Sequence, residues 1–246
     1  MKIALIGYGK MGQAIERLAL ERGHEIVARI DRHNTAEWDS DALRHADVAI
    51  EFTTPLTAVD NYFKAFERQI PVVSGTTAWT DRMDEIKAAC EAQGASFLWS
   101  SNFSIGVNIF MALNRYLATI MAGVPQYRPA MKEIHHIHKL DHPSGTAITL
   151  AGQIIEAHPA VTSWTEDPAA ADTELIISHE RQGEVPGTHI VSWDSPVDTI
   201  TIEHSAKSRD GFALGAVMAA EWLAGRPGFH TLDEMMYDLI HSHTNV

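Results

Sequence analysis

The chain has 246 residues, with 19 lysines and arginines against 32 aspartates and glutamates, which gives a formal net charge of −13. This length is enough for one large domain or two modest ones, without a disulfide or metal to stabilise the core. The negative balance argues against nucleic acid and anionic membranes as partners, because both are bound by clustered positive charge. An anionic ligand would have to be held locally.

The start of the chain and its cysteine content indicate a compartment. The apolar run at residues 3–6 is interrupted by Gly7, so it is too short for a signal peptide or a membrane span. Cys90 is the only cysteine and lies in a helical pattern, which predicts core packing in a reducing environment. We therefore expect a cytoplasmic protein.

A glycine-rich loop follows the first predicted strand. Lys2 to Ile6 has the apolar pattern of a buried strand, and a helical pattern begins after the loop. The first glycine permits a tight turn, the second leaves room for a pyrophosphate, and the third lets the helix approach the strand. In this context the loop predicts a dinucleotide site formed by Gly7, Tyr8, Gly9, Lys10, Met11 and Gly12.

The second strand ends at a pair of residues that bears on cofactor choice. The apolar run from Ile26 to Ile30 leads to Asp31, at the spacing expected for an acid that binds the ribose. Asp31 favours the free 2′-hydroxyl of NAD, whereas Arg32 would pair with the 2′-phosphate of NADP. The sequence leaves NADH and NADPH both open, and Arg32 as a solvated surface residue is the alternative.

Strands and helices continue to alternate through the first hundred residues. Strands are predicted at 48–52, 72–74 and 96–99, and a helix begins at Pro55. The connection 31–48 is too short for a full-length helix. Polar loops follow two strands at the edge where parallel sheets bind ligands, although each also fits an ordinary turn. Further cofactor contacts are expected from Gly75, Thr76, Thr77, Ser100, Ser101, Asn102 and Phe103.

After Gly106 the pattern changes. A helix is predicted at 107–121, then strands at 132–136, 174–180, 189–193 and 199–204, with one helix at 145–157 and a surface excursion at 157–172. Helical segments near 212–223 and 232–240 return to the first domain. The expected fold is α/β, with a Rossmann-type dinucleotide-binding domain at 1–106, joined by helices from about 210–246. An α+β substrate and oligomerisation domain with a mixed sheet would occupy 107–209.

The segment 133–146 concentrates four histidines, Lys139 and a Pro-Ser-Gly-Thr turn. Histidine transfers protons near neutral pH, lysine fixes or protonates an anion, and the first N–H groups of a helix bind carboxylates. If a strand runs on towards Lys139, then His135 and Lys139 share one of its faces. Zinc is disfavoured, because His135, His136 and His138 lack the i, i+4 helical spacing or a cysteine partner, and Lys139 beside them repels a cation. The pattern predicts acid-base chemistry on a small anion, with no metal.

These residues together resemble the 4-hydroxy-tetrahydrodipicolinate reductases, also called dihydrodipicolinate reductases, of bacterial lysine and diaminopimelate synthesis. The similarity spans nearly the whole chain. It rests on the glycine loop, on 75–77 and 102–108, on 181–188 and 208–213, and above all on Glu133 to Ala147. One departure is Ala78, which stands where this family often has a glycine.

The resemblance implies NAD(P)H-dependent reduction of 4-hydroxy-tetrahydrodipicolinate, an anionic cyclic dicarboxylate precursor, to tetrahydrodipicolinate with loss of water. By position, His135 is similar to the family's acid-base residue, Lys139 to its proton donor and His136 to a substrate contact. Ser144, Gly145 and Thr146 match the carboxylate-binding turn. A homotetramer joined through the sheet of the second domain is also implied.

Two other functions remain open from the residues alone. Another Rossmann dehydrogenase, acting for instance on aspartate or a sugar, would explain the glycines and Asp31 but not the histidine-rich segment. A regulator that senses NAD(H) or binds metal would use the first domain without turnover.

Overall fold

The computed structural model describes residues 1–241. The chain divides into two compact units. Unit 1 is Met1–Ile105 together with the described residues from Asp210 onward, and unit 2 is Gly106–Arg209. Among the described residues, no helix combines the length and apolar character needed to cross a membrane.

The elements alternate in unit 1 and are mostly strands in unit 2. In chain order they are β1 (Lys2–Ile6), α1 (Lys10–Glu21), β2 (Glu25–Ile30), β3 (Val48–Glu51), α2 (Pro55–Glu67), β4 (Val72–Ser74), α3 (Met83–Gln93), β5 (Ser96–Trp99), α4 (Ile105–Met121), β6 (Arg128–His135), α5 (Gly145–Ala157), β7 (Ser163–Thr165), β8 (Glu174–Arg181), β9 (Thr188–Asp194), β10 (Thr199–Ser205), α6 (Asp210–Leu223), β11 (Gly228–Thr231) and α7 (Leu232–His241).

Unit 1 is a parallel sheet with helices on both faces. Its six strands run in the order β11-β5-β4-β3-β1-β2, and every neighbouring pair is parallel. Alternate residues of β1 enter two separate cores, with Ala4 and Ile6 in one and Ile3 and Leu5 in the other. Burial on both faces explains why its strands are continuous apolar runs. The predicted Rossmann-type α/β fold is confirmed.

Two parts of unit 1 bear on the predictions. The connection between β2 and β3 holds only two short 3₁₀ helices, Thr35–Asp39 and Leu43–His45, as its length predicted. The strand β11 was not predicted. Its four residues are all half-buried and include a glycine and a histidine, so they lack the apolar run that marks the other strands.

Unit 2 is a mixed five-stranded sheet in the order β10-β9-β6-β8-β7, in which β6 pairs parallel with β8 and antiparallel with β9. One face packs against α4 and α5, and Met131, Leu150 and Trp193 belong to that core. Residues on the other face, such as Ile134 and Ile190, are only half-buried. The predicted mixed sheet is confirmed.

Two features of unit 2 add to the predictions. The segment expected as a surface excursion is mostly exposed, and it contains β7, a three-residue strand that the sequence did not indicate. The strand β6 ends at His135 instead of continuing towards Lys139. The Ile137 N–H donates to the Gly183 carbonyl at 3.0 Å and the Lys139 N–H to the His136 carbonyl at 3.1 Å, which turns the chain. His135 and Lys139 therefore do not share a strand face.

Candidate active site

A cavity of about 620 Å³ lies at the carboxyl ends of β1, β2 and β3 in unit 1. This is the edge where open parallel sheets bind ligands. Of the predicted cofactor residues, Gly7, Tyr8, Gly9, Asp31 and Arg32 line the cavity. Lys10, Met11 and Gly12 form the first turn of α1 directly beside it.

The three glycines of the loop occupy different environments. Gly7 has a φ of +95°, and a Cβ there would lie 2.0 Å from the Phe52 carbonyl oxygen. A Cβ at Gly12 would lie 2.3 Å from the Gly7 carbonyl oxygen, so α1 packs directly on the loop. A Cβ at Gly9 would meet nothing within 4 Å. The open space thus borders only Gly9, the position expected to face a pyrophosphate.

Basic and acidic side chains both line the cavity. Arg32 is exposed and its Nε lies 2.9 Å from His33 Nε2, while Lys64 of α2 also lines the cavity. The Asp31 carboxylate accepts a hydrogen bond from the His33 N–H at 2.7 Å. The lining therefore offers three basic side chains, together with the carboxylates of Asp31 and Asp60.

The predicted loop at 75–77 is held by a buried carboxylate. Glu51, at the end of β3, accepts hydrogen bonds from Ser74 Oγ at 2.6 Å, Thr76 Oγ1 at 3.0 Å and the Thr53 N–H at 3.0 Å. Burial raises the pKa of Glu51, and these donors oppose that shift. The side chain of Thr76 thus joins two loops, while Thr77 is exposed and Gly75 lies against the Phe52 ring.

The predicted loop at 100–103 satisfies much of its own polarity. Ser100 Oγ accepts a hydrogen bond from the Asn102 N–H at 3.1 Å, and the Asn102 side chain accepts one from the Ser104 N–H at 2.9 Å. Ser101 is exposed, whereas Phe103 is buried in the core. Neither this loop nor 75–77 lines the cavity, so the structure brings together only part of the predicted cofactor set.

In unit 2 a second buried carboxylate organises the histidine-rich segment. Glu133 is fully buried on β6, and its Oε2 accepts a hydrogen bond from the Ser144 N–H at 2.9 Å. Its Oε1 lies 3.4 Å from Arg181 Nη2. Burial raises the pKa of Glu133, but the hydrogen bonds from Ser144 and the nearby imidazoles outweigh it, so the net pKa is lowered. Glu133 is therefore an anion near neutral pH.

Two imidazoles flank this carboxylate. His135 Nδ1 lies 3.8 Å and His189 Nε2 3.9 Å from Glu133 Oε2, and the two rings meet edge to face at 5.2 Å. Burial lowers the pKa of His135, and the charges of Lys139 and Arg181 act in the same direction. Burial also lowers the pKa of His189 to about 4. Both rings are therefore neutral near pH 7.

Lys139 lies on the turn that follows β6. Its Nζ donates to both carboxylate oxygens of Asp141, at 2.8 and 2.7 Å, and this contact lowers the pKa of Asp141. Arg181 donates to the backbone carbonyls of Lys139 and Asp141 at 3.1 and 2.8 Å. Arg181 thus holds the backbone of the turn while Lys139 stays partly exposed. His136 is half-buried at the start of this turn.

The first turn of α5 faces open space. Ser144 Oγ caps the helix by accepting the Ala147 N–H at 3.2 Å, and lies 3.1 Å from His189 Nε2. The N–H groups of Gly145 and Thr146 precede the first intrahelical hydrogen bonds, so they can bind an anion. A Cβ at Gly145 would meet nothing within 4 Å. Ser144 is thus a buried support for the turn that Gly145 and Thr146 expose.

Comparison with known proteins divides the chain near residue 105, where unit 2 begins. Residues 1–103 match the family model "Dihydrodipicolinate reductase, N-terminus" and residues 106–236 match "Dihydrodipicolinate reductase, C-terminus". The chain belongs to the dihydrodipicolinate reductase family. The predictions of this family and of an oxidoreductase with a dinucleotide-binding N-terminal domain are therefore confirmed.

Relatives of this reductase family match over nearly their full length. The 4-hydroxy-tetrahydrodipicolinate reductase of Christiangramia forsetii is 45% identical, covering 97% of this chain and 99% of the relative. That of Archaeoglobus fulgidus is 33% identical, covering 96% and 100%. A dipicolinate-bound dihydrodipicolinate reductase structure from Paenisporosarcina sp. TG-14 shares the fold with a TM-score of 0.74 at 21% identity, over 94% and 97% of the two chains.

Sequence reasoning missed several residues of this reductase that the structure places in or beside the sites. In unit 2 these are Glu133, Arg181 and His189, which surround Ser144 and His135. In unit 1 they are the cavity-lining residues Trp38, Thr53, Thr54, Thr57, Asp60, Asn61 and Lys64. Two sequence features could have indicated some of them. One is the acid Glu133 at an inward position of β6, and the other is the spacing of Thr57, Asp60, Asn61 and Lys64 along one face of α2.

Proposed function

We propose that this chain reduces 4-hydroxy-tetrahydrodipicolinate to tetrahydrodipicolinate in lysine and diaminopimelate synthesis, with NADH or NADPH as the reductant. Membership of the reductase family supports the reaction. The observation that carries it is the Glu133 cluster, which holds His135, the Lys139 turn and the first turn of α5 around one centre. A small cyclic dicarboxylate suits this centre, and the Paenisporosarcina structure holds dipicolinate.

The substrate carboxylates would be bound by unit 2. The first turn of α5 offers the N–H groups of Gly145 and Thr146, and the Lys139 ammonium offers a charged donor. His136 would be a further polar contact from the same turn. Because Glu133 and His189 fix Ser144 from beneath, the anion site exists before the substrate arrives.

Proton transfer is divided between two side chains. A nicotinamide cofactor held by unit 1 would supply the hydride, and a neighbouring atom of the substrate ring would then need a proton from the protein. Burial keeps His135 neutral at pH 7, so His135 accepts or relays a proton more readily than it donates one. Lys139 carries a proton on an accessible ammonium, held by Asp141. We assign proton donation to Lys139 and an acid-base relay to His135.

The cofactor would occupy the cavity of unit 1. Its volume, the glycine loop and the first turn of α1 fit a dinucleotide, with the pyrophosphate at Gly9 and the adenosine ribose near Asp31. Arg32 would contact a 2′-phosphate, and Lys64 lines the same cavity. The loops at 75–77 and 100–103 would act beyond the cavity, towards the nicotinamide end.

Assembly and compartment complete the proposal. The half-buried face of the unit 2 sheet, which includes Ile134, Ile176 and Ile190, supports a homotetramer formed through this sheet. A biosynthetic reductase of this family with a single buried free cysteine also fits the cytoplasm. Light scattering of the purified protein measures its oligomeric state, and a monomer would reject the homotetramer.

The reaction is tested by following NADH and NADPH absorbance while a coupled synthase generates the hydroxylated precursor. Oxidation that depends on the synthase establishes the activity and ranks the two cofactors. If the folded protein binds NADH but oxidises neither cofactor, the proposal fails. The same protein is then assayed as a dehydrogenase of other substrates, such as aspartate or a sugar.

A further inference from the structure

Two histidines and a glutamate form a cluster on the surface of unit 2, apart from the Glu133 centre. His142 Nδ1 lies 2.8 Å and His179 Nδ1 2.9 Å from the same oxygen, Oε1 of Glu166. The two imidazole rings stack with centroids 4.1 Å apart and planes inclined by 20°. Three potential metal ligands thus converge on one point, within 4.8 Å of one another.

The fold brings these residues together from three separate segments. His179 pairs with Glu133 in the parallel register of β8 and β6, so both side chains face the side covered by α5. The segment 142–144 crosses that face, because the Ser144 N–H is bound to Glu133. Glu166 directly follows β7, whose Thr165 pairs with Ile176 of β8. The convergence is therefore set by the sheet register.

We propose that His142, Glu166 and His179 bind a divalent transition-metal ion of the zinc type. Two imidazoles and one carboxylate are a donor set that zinc uses when a fourth position is left to water. The side chains are 46%, 31% and 35% exposed, so an ion can enter and water can complete its coordination. A chain with a net charge of −13 also favours cations in its surroundings.

The ligand separations are close to those that an ion requires. A tetrahedral site with bonds of about 2.0 to 2.1 Å separates its ligand atoms by roughly 3.3 Å. Each imidazole nitrogen must therefore withdraw from Glu166 Oε1 by about half an ångström, which exposed side chains achieve by small rotations.

A second triad, Glu133 with His135 and His189, is a poorer candidate. All three residues are buried, and Arg181 lies 3.4 Å from Glu133, so a cation would meet a fixed positive charge. Within residues 1–241, the ion pairs formed by Glu166 are with His142 and His179 and with no lysine or arginine. This contrast assigns the ion to the surface cluster.

A bound ion would join the segment that carries Ser144 to the connection between β7 and β8. His142 lies two residues before Ser144, which caps α5. The ion would therefore hold residues 142–144, which lead into the proposed anion-binding turn of α5. The expected consequence is a higher melting temperature, since a ligand that binds only the folded chain stabilises it by mass action.

The experiment is calorimetric titration of Zn²⁺ into the full chain after treatment with a chelator. We expect one site per chain with a Kd of about 10 µM or tighter. His142→Gln, His179→Gln and Glu166→Gln should each weaken binding at least about tenfold, while circular dichroism remains unchanged. His230→Gln is the matched control, because His230 also contacts a glutamate, Glu234, at 2.6 Å and should bind no part of this ion.

Cobalt provides a second readout that does not depend on the variants folding. Co²⁺ bound by the unmodified chain should give the visible absorption of a site with nitrogen and oxygen ligands, and Zn²⁺ should displace it. Binding that is equally tight in His142→Gln and His179→Gln would overturn the proposal. So would binding lost only in His189→Gln, or no Zn²⁺ binding below about 100 µM.

Discussion

The two helix N-termini proposed to bind anions are built in opposite ways. The start of α1 has Gly9 at its N-cap and no side-chain hydrogen bond to the cap, so its N–H groups face open space. The start of α5 is capped by Ser144, which is itself held by Glu133 and His189. The proposed pyrophosphate site at α1 is thus made of backbone beside open space, whereas the proposed carboxylate site at α5 rests on a buried carboxylate.

The two starts should therefore respond to different substitutions. The start of α1, which is made of backbone, should be damaged mainly by added volume, and side-chain charge should matter elsewhere in the cavity, at Asp31 and Arg32. A site that rests on a buried, hydrogen-bonded carboxylate is damaged by changes in charge and proton occupancy, because an unpaired buried charge is costly.

The largest effect is expected at the groups that move protons in unit 2. His135→Gln and Lys139→Ala should each lower kcat by roughly 10² to 10⁴, while NADH binding to unit 1 is unchanged. Steady-state kinetics and NADH fluorescence titration measure the two quantities. His138→Gln is the control on the same turn, since His138 is exposed and its ion-pair partner, Glu184, is exposed as well. A kcat near that of the unmodified chain in either test variant would reject the assignment.

Acid should destabilise unit 2 through His189. Because burial lowers its folded pKa to about 4, the unfolded chain takes up a proton first as the pH falls. This contribution to stability is complete above pH about 6.5 and is lost between about 6.5 and 4, to at most about 3 kcal/mol. Hydrogen-exchange protection of β9 measures the loss, and His189→Gln should flatten the slope in this window. An unchanged slope in the variant would contradict the role of His189.

Added volume should separate the two anion sites. Gly9→Ala should weaken NADH binding about tenfold or more and leave the substrate KM alone, and Gly145→Ala should do the reverse. Neither Cβ would meet protein atoms within 4 Å, so both variants should fold. Gly152→Ala, in the same helix α5 and equally free of clashes, should leave both constants unchanged. If the two test variants weakened both ligands equally, Gly9 and Gly145 would not belong to separate anion sites.

Cofactor choice should depend on charge at one end of the unit 1 cavity. Arg32→Ala is expected to weaken NADPH binding about tenfold and NADH binding much less, because only NADPH carries the 2′-phosphate. Arg44→Ala is the control, since Arg44 pairs with exposed Asp41 in the same connection. An equal loss of affinity for the two cofactors would show that Arg32 does not bind the 2′-phosphate.

The smallest effect concerns the departure from the family pattern at Ala78. Ala78 has a φ of +60°, which costs alanine energy and glycine very little. Ala78→Gly should therefore raise the free energy of unfolding by about 1 kcal/mol, measured in urea. Ala88→Gly, at an exposed position inside α3, should lower it by a similar amount. A loss of stability in Ala78→Gly would mean that this backbone strain is absent.

Much of the fold followed from sequence, for physical reasons. Burial on both faces makes β1 and β3 continuous apolar runs, and the helix limits at Pro55 and Gly145 are marked by proline and by a serine cap. β7 and β11 were not predicted, because short strands with no buried residue take their stability from neighbouring strands rather than from their own residues.

The candidate sites were predictable only in part. The glycine loop and the segment 133–146 are local in sequence, so their chemistry could be recognised there. Glu133, Arg181 and His189 come from three different strands, and only the sheet register brings them together. An acid inside a strand ordinarily indicates a solvent-facing position, so the local sign that Glu133 is fully buried is weak: it shares one face of β6 with Met131.

The return of the chain to unit 1 has a consequence for synthesis on the ribosome. The buried residues of α6, among them Ala216, Val217 and Leu223, fill one of the two cores of unit 1, and β11 forms the edge of its sheet. Unit 2 is continuous in sequence and is complete by Arg209, before these parts emerge. Domains fold as units while the chain is made. Residues 1–105 of the nascent chain therefore keep part of their apolar surface exposed until α6 and β11 have left the ribosome. A chain stopped at residue 209 should resist protease in unit 2 and be cut in unit 1.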